Sequence, residues 1–315
     1  MCALVAVVTG ASSGIGLQTA LALCLDQNDT YSKVVFAVRN PPKIQHLVNN
    51  IPNAEIIALD LASLASVERF VQLLEDSGIT RIHRLVLNAG IKDYTIPGVS
   101  NTIDGMDEIW QVNFVAHFYL FNLLRRNRLS SNARVICLSS VMHWFGNADR
   151  FVDIINTAPG RNSLNHYADS KLAMAIFASE ISKRNSEVQS VAVNPGSVAT
   201  DIFRAWFAVG FLGMCLRLLF GTILLTSKEG AKASLYACGP SFNSCKFQYI
   251  SPYGQIKGRG RLLAFLSDVY WFWVARNPEK MIGECASAVT DRMNGESLWA
   301  LATEAISRTN RSVGY

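Results

Sequence analysis

The chain has 315 residues, half of them hydrophobic and only 17% charged, with 29 Lys and Arg against 24 Asp and Glu. Such a make-up supports a sizeable buried core and excludes intrinsic disorder. The net charge of +5 is mild and no run of five or six like charges occurs, so no nucleic-acid partner is expected. Seven cysteines, at positions 2, 24, 137, 215, 238, 245 and 285, form no Cys-x-x-Cys pair and join no His cluster with zinc spacing. Scattered thiols of this kind fit a reducing, cytoplasmic compartment and no bound metal.

The first apolar run, 3–9, begins without a charged segment or cleavage site before it, so no signal peptide is expected. It leads into Gly10, Gly14 and Gly16, and then into a helix-like run over 14–26. In a strand-to-helix turn, glycines permit positive φ and let backbone N–H groups close on a pyrophosphate. The helix N-terminus adds its partial positive charge, and Ser12 and Ser13 add hydroxyls. The Gly-x-x-x-Gly-x-Gly spacing differs from the common Gly-x-Gly-x-x-Gly dinucleotide fingerprint. A second run, 33–38, ends in Arg39-Asn40 where NAD sites carry an acidic residue for the ribose 2′-hydroxyl. An arginine there offers a 2′-phosphate a charge-assisted fork, which favours NADP(H) over NAD(H).

Further β-branched runs follow at 55–59, 83–88, 133–139 and 188–194, short and nearly continuous in hydrophobicity, as strands covered on both faces should be. Between them the spacing predicts helices over 63–77, opened by Ser63 and Ser66, and over 104–126 and 164–185. This alternation predicts an α/β fold, a doubly wound parallel sheet of about seven strands with helices on both faces, in one domain over 1–315. Past residue 200 comes the apolar stretch Trp206–Leu225, long enough to span a bilayer but carrying Arg217 and three glycines. It reads as a flap over about 200–226 that lines a pocket or skims a membrane. A helix near 227–237, a short strand at Phe247-Gln248-Tyr249 and a terminal helix within 277–308 complete the chain.

Tyr167 and Lys171 stand four residues apart, one helical turn, on one face. A phenol with a pKa near 10 is a poor acid or base at neutral pH. A nearby ammonium is expected to favour the phenolate and pull the pKa of Tyr167 toward the working range.

Taken in order, Thr9-Gly-x-x-x-Gly-Ile-Gly16, Asp60-Leu61, Asn88-Ala89-Gly90, Asn113, Ser139-Ser140, Tyr167-x-x-x-Lys171 and Pro195-Gly196 through Thr200 resemble the short-chain dehydrogenase/reductase family. The resemblance covers about residues 3 to 310 and implies the Rossmann arrangement. The insertion between Ser140 and Tyr167, the wording ALDLASLASVERFV and the run SKEGAKASLYA resemble the branch of retinol dehydrogenases, WW-domain oxidoreductases and protochlorophyllide reductases. It implies a catalytic set of Asn113, Ser140, Tyr167 and Lys171. Tyr167 exchanges a proton with the reacting oxygen and Ser140, rather than Ser139, steadies that oxygen. Lys171 also holds the nicotinamide ribose, and Asn113 interrupts its helix and holds a relay water. Cofactor contacts are implied for Gly10, Ser12, Ser13, Gly14, Ile15, Gly16, Arg39, Asp60, Leu61, Asn88, Ala89, Gly90, Tyr167, Lys171, Pro195, Gly196, Val198 and Thr200, with Asp60-Leu61 on the adenine. A homodimer through the helices at 104–126 and 164–185 is a further implication.

In this family the segment after the sixth strand sets substrate choice, and here it holds Phe203, Trp206, Phe207, Phe211 and Leu212. Phe265 and Tyr270 to Trp273 form a second aromatic group. An apolar pocket suits a lipophilic carbonyl or alcohol, such as a retinoid, a steroid or a long-chain aldehyde, and an aromatic rim suits peripheral membrane contact. Two other readings stand beside this one: a nucleotide-binding scaffold without chemistry, and a reductase of a tetrapyrrole carbon–carbon double bond. Ser197 speaks against the second, because that branch carries a cysteine there. His117, His143 and His166 are expected to shape the pocket or core, with His143 placed to border the substrate, and Cys137 to be an inert core thiol.

Overall fold

Leu4–Thr9 (β1) is a run of mostly β-branched residues, and its alternate side chains feed two different cores: Val7 enters one, Ala6 and Val8 the other. The computed structural model of the protein describes residues 4–26, 31–95, 101–156, 163–196, 198, 225–240, 242, 247–251, 282–283 and 285–312. Most of the flap, together with Ser197, Thr200 and the aromatic group at 265–273, lies outside the described residues.

The same two-sided burial repeats in Tyr31–Val38 (β2), Ile82–Leu87 (β4), Leu129–Leu138 (β5) and Gln189–Val193 (β6), which is why these runs read as continuously apolar. With Ala54–Ala58 (β3), Gln248–Ile250 (β7) and Ile282–Gly283 (β8) they form one sheet in the order 3-2-1-4-5-6-7-8. Seven strands run parallel, as the alternation predicts, and β8 pairs antiparallel to β7 at the edge. β8 falls inside the span expected for the terminal helix, which starts only at Arg292. Two residues of pairing carry no periodicity that a sequence pattern can reveal.

Gly14–Cys24 (α1) packs on one face of the sheet, and Leu64–Asp76 (α2), Ala116–Arg125 (α3) and Ser163–Arg184 (α4) on the other. Ser63 caps α2 by accepting from the backbone N–H of Ser66 at 3.2 Å. The helix expected over 104–126 divides into a turn at Glu108–Trp110, a π-helical segment Gln111–Val115 containing Asn113, and α3. An interruption at Asn113 is therefore present.

Ser227–Cys238 (α5) starts with a capping box in which Thr226 and Glu229 bond each other's backbone N–H. Its far end meets two buried guanidinium groups. Arg84 Nε donates to the Cys238 carbonyl at 2.7 Å, and Arg134 to those of Ala237 and Gly239. Cations at a helix C-terminus satisfy both the orphan carbonyls and the dipole. Just before α5, Leu225 pairs with Val198 in an isolated parallel bridge. Arg292–Ser312 (α6) lies across α3 and α4, with the Trp299 ring 4.9 Å from Phe118 and 6.0 Å from Phe177.

Candidate active site

The strand order reverses between β1 and β4, and crevices at such switch points, beyond the carboxyl ends of the strands, take ligands in open α/β sheets. Here the crevice is a cavity of about 490 Å³. Its walls include Gly10, Ser12, Ser13, Gly14, Ile15, Gly16, Arg39, Asp60, Leu61, Asn88, Ala89, Gly90, Tyr167, Lys171 and Pro195. Fifteen of the implied contact residues thus surround one space.

The glycine loop is shaped by close backbone approach. Gly10 and Gly14 have φ of +67° and +58°. A β-carbon on Gly10 would sit 2.8 Å from the Cα of Ala89, and one on Gly16 would sit 2.5 Å from the Gly10 carbonyl oxygen. Asn88 spans the gap, donating from Nδ2 to the Thr9 carbonyl at 2.8 Å. Ser13 has the extended backbone of an N-cap, yet its hydroxyl makes no capping bond, and no acidic residue stands in the first turn of α1. That leaves the helix N-terminus and a hydroxyl facing an anion-sized space. Gly16→Ala should cost about 1–3 kcal/mol of stability, because an added methyl must displace backbone. It should also weaken NADPH at least about tenfold. Denaturant melts and NADPH fluorescence titrations measure both; wild-type affinity in this variant would show that the loop has slack.

Beneath the loop lies a buried hydrogen-bond chain. The Thr9 hydroxyl accepts from the N–H groups of Asn88 and Ala89 at 2.9 and 3.0 Å. It also lies 2.9 Å from His117 Nε2 and 3.4 Å from the Val86 carbonyl, while His117 Nδ1 meets the Asn113 carbonyl at 3.1 Å. A carbonyl only accepts, so Nδ1 carries the proton and the Thr9 hydroxyl donates to Nε2. Burial, helped by the charge of Lys171, pushes the His117 pKa down to about 4, which keeps the ring neutral. The Asn113 side chain is also engaged: Oδ1 accepts from Ile91 N–H at 2.7 Å, and Nδ2 donates to the Ile91 carbonyl and the Ser170 hydroxyl.

Tyr167 and Lys171 sit on α4, both buried, with the Lys171 Nζ 5.6 Å from the phenol ring centre and 3.1 Å from the Leu138 carbonyl. The Ser140 side chain hydrogen-bonds Tyr167, whereas Ser139 donates to the Lys171 carbonyl at 2.8 Å. Ser140 is therefore the serine at the phenol. Burial holds the Tyr167 pKa above its ordinary value, and the Ser140 bond opposes this only in part. The expected lowering by Lys171 is not present: the ammonium bonds a main-chain carbonyl, and burial pulls its own pKa down to about 8.

The family model described as short chain dehydrogenase matches residues 4–208. The chain belongs to this family. Human WW domain-containing oxidoreductase is 32% identical over 289 residues, covering 84% of this chain and 67% of that protein. Bovine retinol dehydrogenase 12 is 32% identical over 267 residues, covering 79% of this chain and 80% of that one. A solved carbonyl reductase from chicken fatty liver with NADPH bound shares the fold at TM-score 0.53 and 20% identity, over 79% of this chain and 97% of that chain. The family is one of oxidoreductases that use nicotinamide cofactors.

In this short-chain dehydrogenase, some implied contacts stand apart from the cavity. Val198 is buried, and a β-carbon on Gly230 would sit 2.5 Å from its Cγ2. Gly196, at φ +81°, turns the chain after β6, its N–H bonded to Asn194 Oδ1. Neither lines the cavity, and nor do Asn113 and Ser140. His143 is fully buried, so it does not border open substrate space as expected. Burial drives the Cys137 thiol well above the usual range, and no His/Cys/Asp/Glu group among the described residues can hold a metal. The sequence reading missed Lys43, an exposed residue in the turn after β2 that lines the cavity with Arg39. The only sequence signal was a second cation four residues after the first.

Proposed function

We propose that this enzyme interconverts a carbonyl and an alcohol on a lipophilic substrate with NADP(H) as cofactor. The observation that carries the reading is the Tyr167 phenol, hydrogen-bonded to Ser140 with Lys171 one turn away, lining the same cavity as the glycine loop. The cradle of bare Cα positions at Gly10, Gly16 and Gly90, with the unengaged Ser13 hydroxyl, fits a dinucleotide. A bound nicotinamide supplies the hydride in reduction and takes it in oxidation. Tyr167, kept protonated by burial, donates its proton to the carbonyl oxygen, and Ser140 donates a hydrogen bond to that oxygen as charge develops. Lys171 would hold the ribose hydroxyls of the bound cofactor, and Asn113 fixes the backbone of Ile91, which lines the cavity.

Arg39 and Lys43 support the phosphorylated cofactor, since two exposed cations on one wall suit a 2′-phosphate. The names of the relatives, a retinol dehydrogenase among them, support an apolar alcohol or carbonyl. Among the described residues no helix is long and apolar enough to cross a membrane. The test is a cofactor comparison followed by a substrate screen with aliphatic, retinoid and steroid carbonyls. NADPH should bind at least tenfold tighter than NADH, about 1.4 kcal/mol. The double variant R39A/K43A should erase that preference. A tenfold preference for NADH in the wild type would overturn the cofactor assignment.

A further inference from the structure

Ser140 lies two residues past the end of β5 and caps the short turn Val141–Phe145, and its carbonyl is engaged twice by His143: by the backbone N–H at 3.0 Å and by ring Nδ1 at 2.7 Å. On the far side of the ring, Nε2 lies 3.2 Å from the backbone N–H of Ala286. A carbonyl accepts and an N–H donates, so the proton sits on Nδ1 and the lone pair on Nε2. The ring is fully buried, 4.9 Å from the ring of Tyr249 and 5.3 Å from that of Trp144, and the Tyr249 hydroxyl is 3.4 Å from Nδ1. Tyr249 lies on β7 and Ala286 follows β8, so one imidazole meets residues from both strands' neighbourhoods.

We propose that His143 is a positioning residue that fixes the Ser140 hydroxyl against Tyr167 through the bond from its ring Nδ1 to the Ser140 carbonyl. The two ring nitrogens hold separate partners, and the two halves of the device can be removed one at a time. Asparagine places an amide N–H where Nδ1 stands and keeps the bond to Ser140 alone. Glutamine places its amide oxygen where Nε2 stands and keeps the bond from Ala286 alone. Phenylalanine keeps the ring's bulk and neither bond.

The inference rests on the proposed roles of Ser140 and Tyr167, so its test has one arm with turnover and one without. With a carbonyl substrate, kcat should fall about 10- to 100-fold in H143F and H143Q and stay within about threefold of wild type in H143N. NADPH affinity should be unchanged in all three. The double variant S140A/H143F should be no slower than S140A, because both losses pass through one hydroxyl. In the arm without turnover, Tyr167 observed by labelled-tyrosine NMR should titrate higher in H143F and H143Q than in wild type, and unchanged in H143N. Imidazole nitrogen spectra of the wild type should show the Nδ1–H tautomer. Equal losses in H143N and H143Q, additive losses in the double variant, or an Nε2–H tautomer would overturn the proposal. If no carbonyl is turned over but the titration pattern holds, the oxidoreductase reading fails and the positioning role stands.

Discussion

Tyr167→Phe is expected to lower turnover at least about a thousandfold while leaving NADPH affinity within about twofold of wild type, since general acid–base transfer is worth roughly 10²–10⁴. The substitution removes one oxygen from a buried ring and leaves the glycine loop, Asn88 and Arg39 untouched. The phenol is the only proton-bearing group that hydrogen-bonds Ser140 among the described cavity residues. Its burial has a second consequence. With the pKa held above its ordinary value, the folded protein carries the phenol protonated at neutral pH, ready for carbonyl reduction. Steady-state NADPH oxidation together with fluorescence binding gives both quantities, and an active phenylalanine variant would remove Tyr167 from the chemistry.

Lys171→Met should abolish turnover, by at least about a hundredfold, and at the same time make the cofactor-free protein more stable at pH 7. Burial lowers the ammonium's pKa from 10.5 to about 8. The unfolded chain keeps this proton up to its ordinary pKa, so between about pH 8 and 10.5 the unfolded state binds more protons and stability climbs with pH. Below pH 8 the folded state bears the full cost of the buried charge, on the order of 3 kcal/mol. Methionine removes that cost and forfeits the bond to the Leu138 carbonyl, roughly 1 kcal/mol, for a net gain of about 1–3 kcal/mol. Denaturant melts of both proteins from pH 7 to 10 should show the wild-type curve rising and the variant's nearly flat. A destabilised variant would mean that the lysine contributes more through its carbonyl bond than burial takes away.

The sheet was legible in the sequence because its strands are buried on both faces and so stand out as continuous apolar runs. β5 is the instructive exception. Its first residues, Leu129 to Asn132, are largely polar and exposed at the sheet margin, and Asn132 takes a φ of +72° that no strand pattern announces. The glycine loop and the Tyr167/Lys171 pair stood out because each is a fixed local spacing, and both line one cavity. What escaped notice depends on distance in space. Lys43 reaches the cavity through a three-residue turn begun by two prolines. His143 looked like a pocket residue because it follows Ser140 by three positions, whereas its ring is held in the interior between the Ser140 carbonyl and the N–H of Ala286, 143 residues away. The Tyr167 pKa shows the same limit: adjacency to Lys171 is visible in one dimension, but the burial that outweighs it is not.

The pairing of Val198 with Leu225 brings the chain on either side of residues 199–224 together at a single doorway, and the Thr226–Glu229 box starts α5 at once. Ring closure across that doorway is already secured by the framework, so lengthening or rewriting the intervening sequence changes only a slowly growing entropic cost. Rewriting residues 199–224 is therefore expected to leave the cavity lined by Gly10, Gly16, Tyr167 and Lys171 in place.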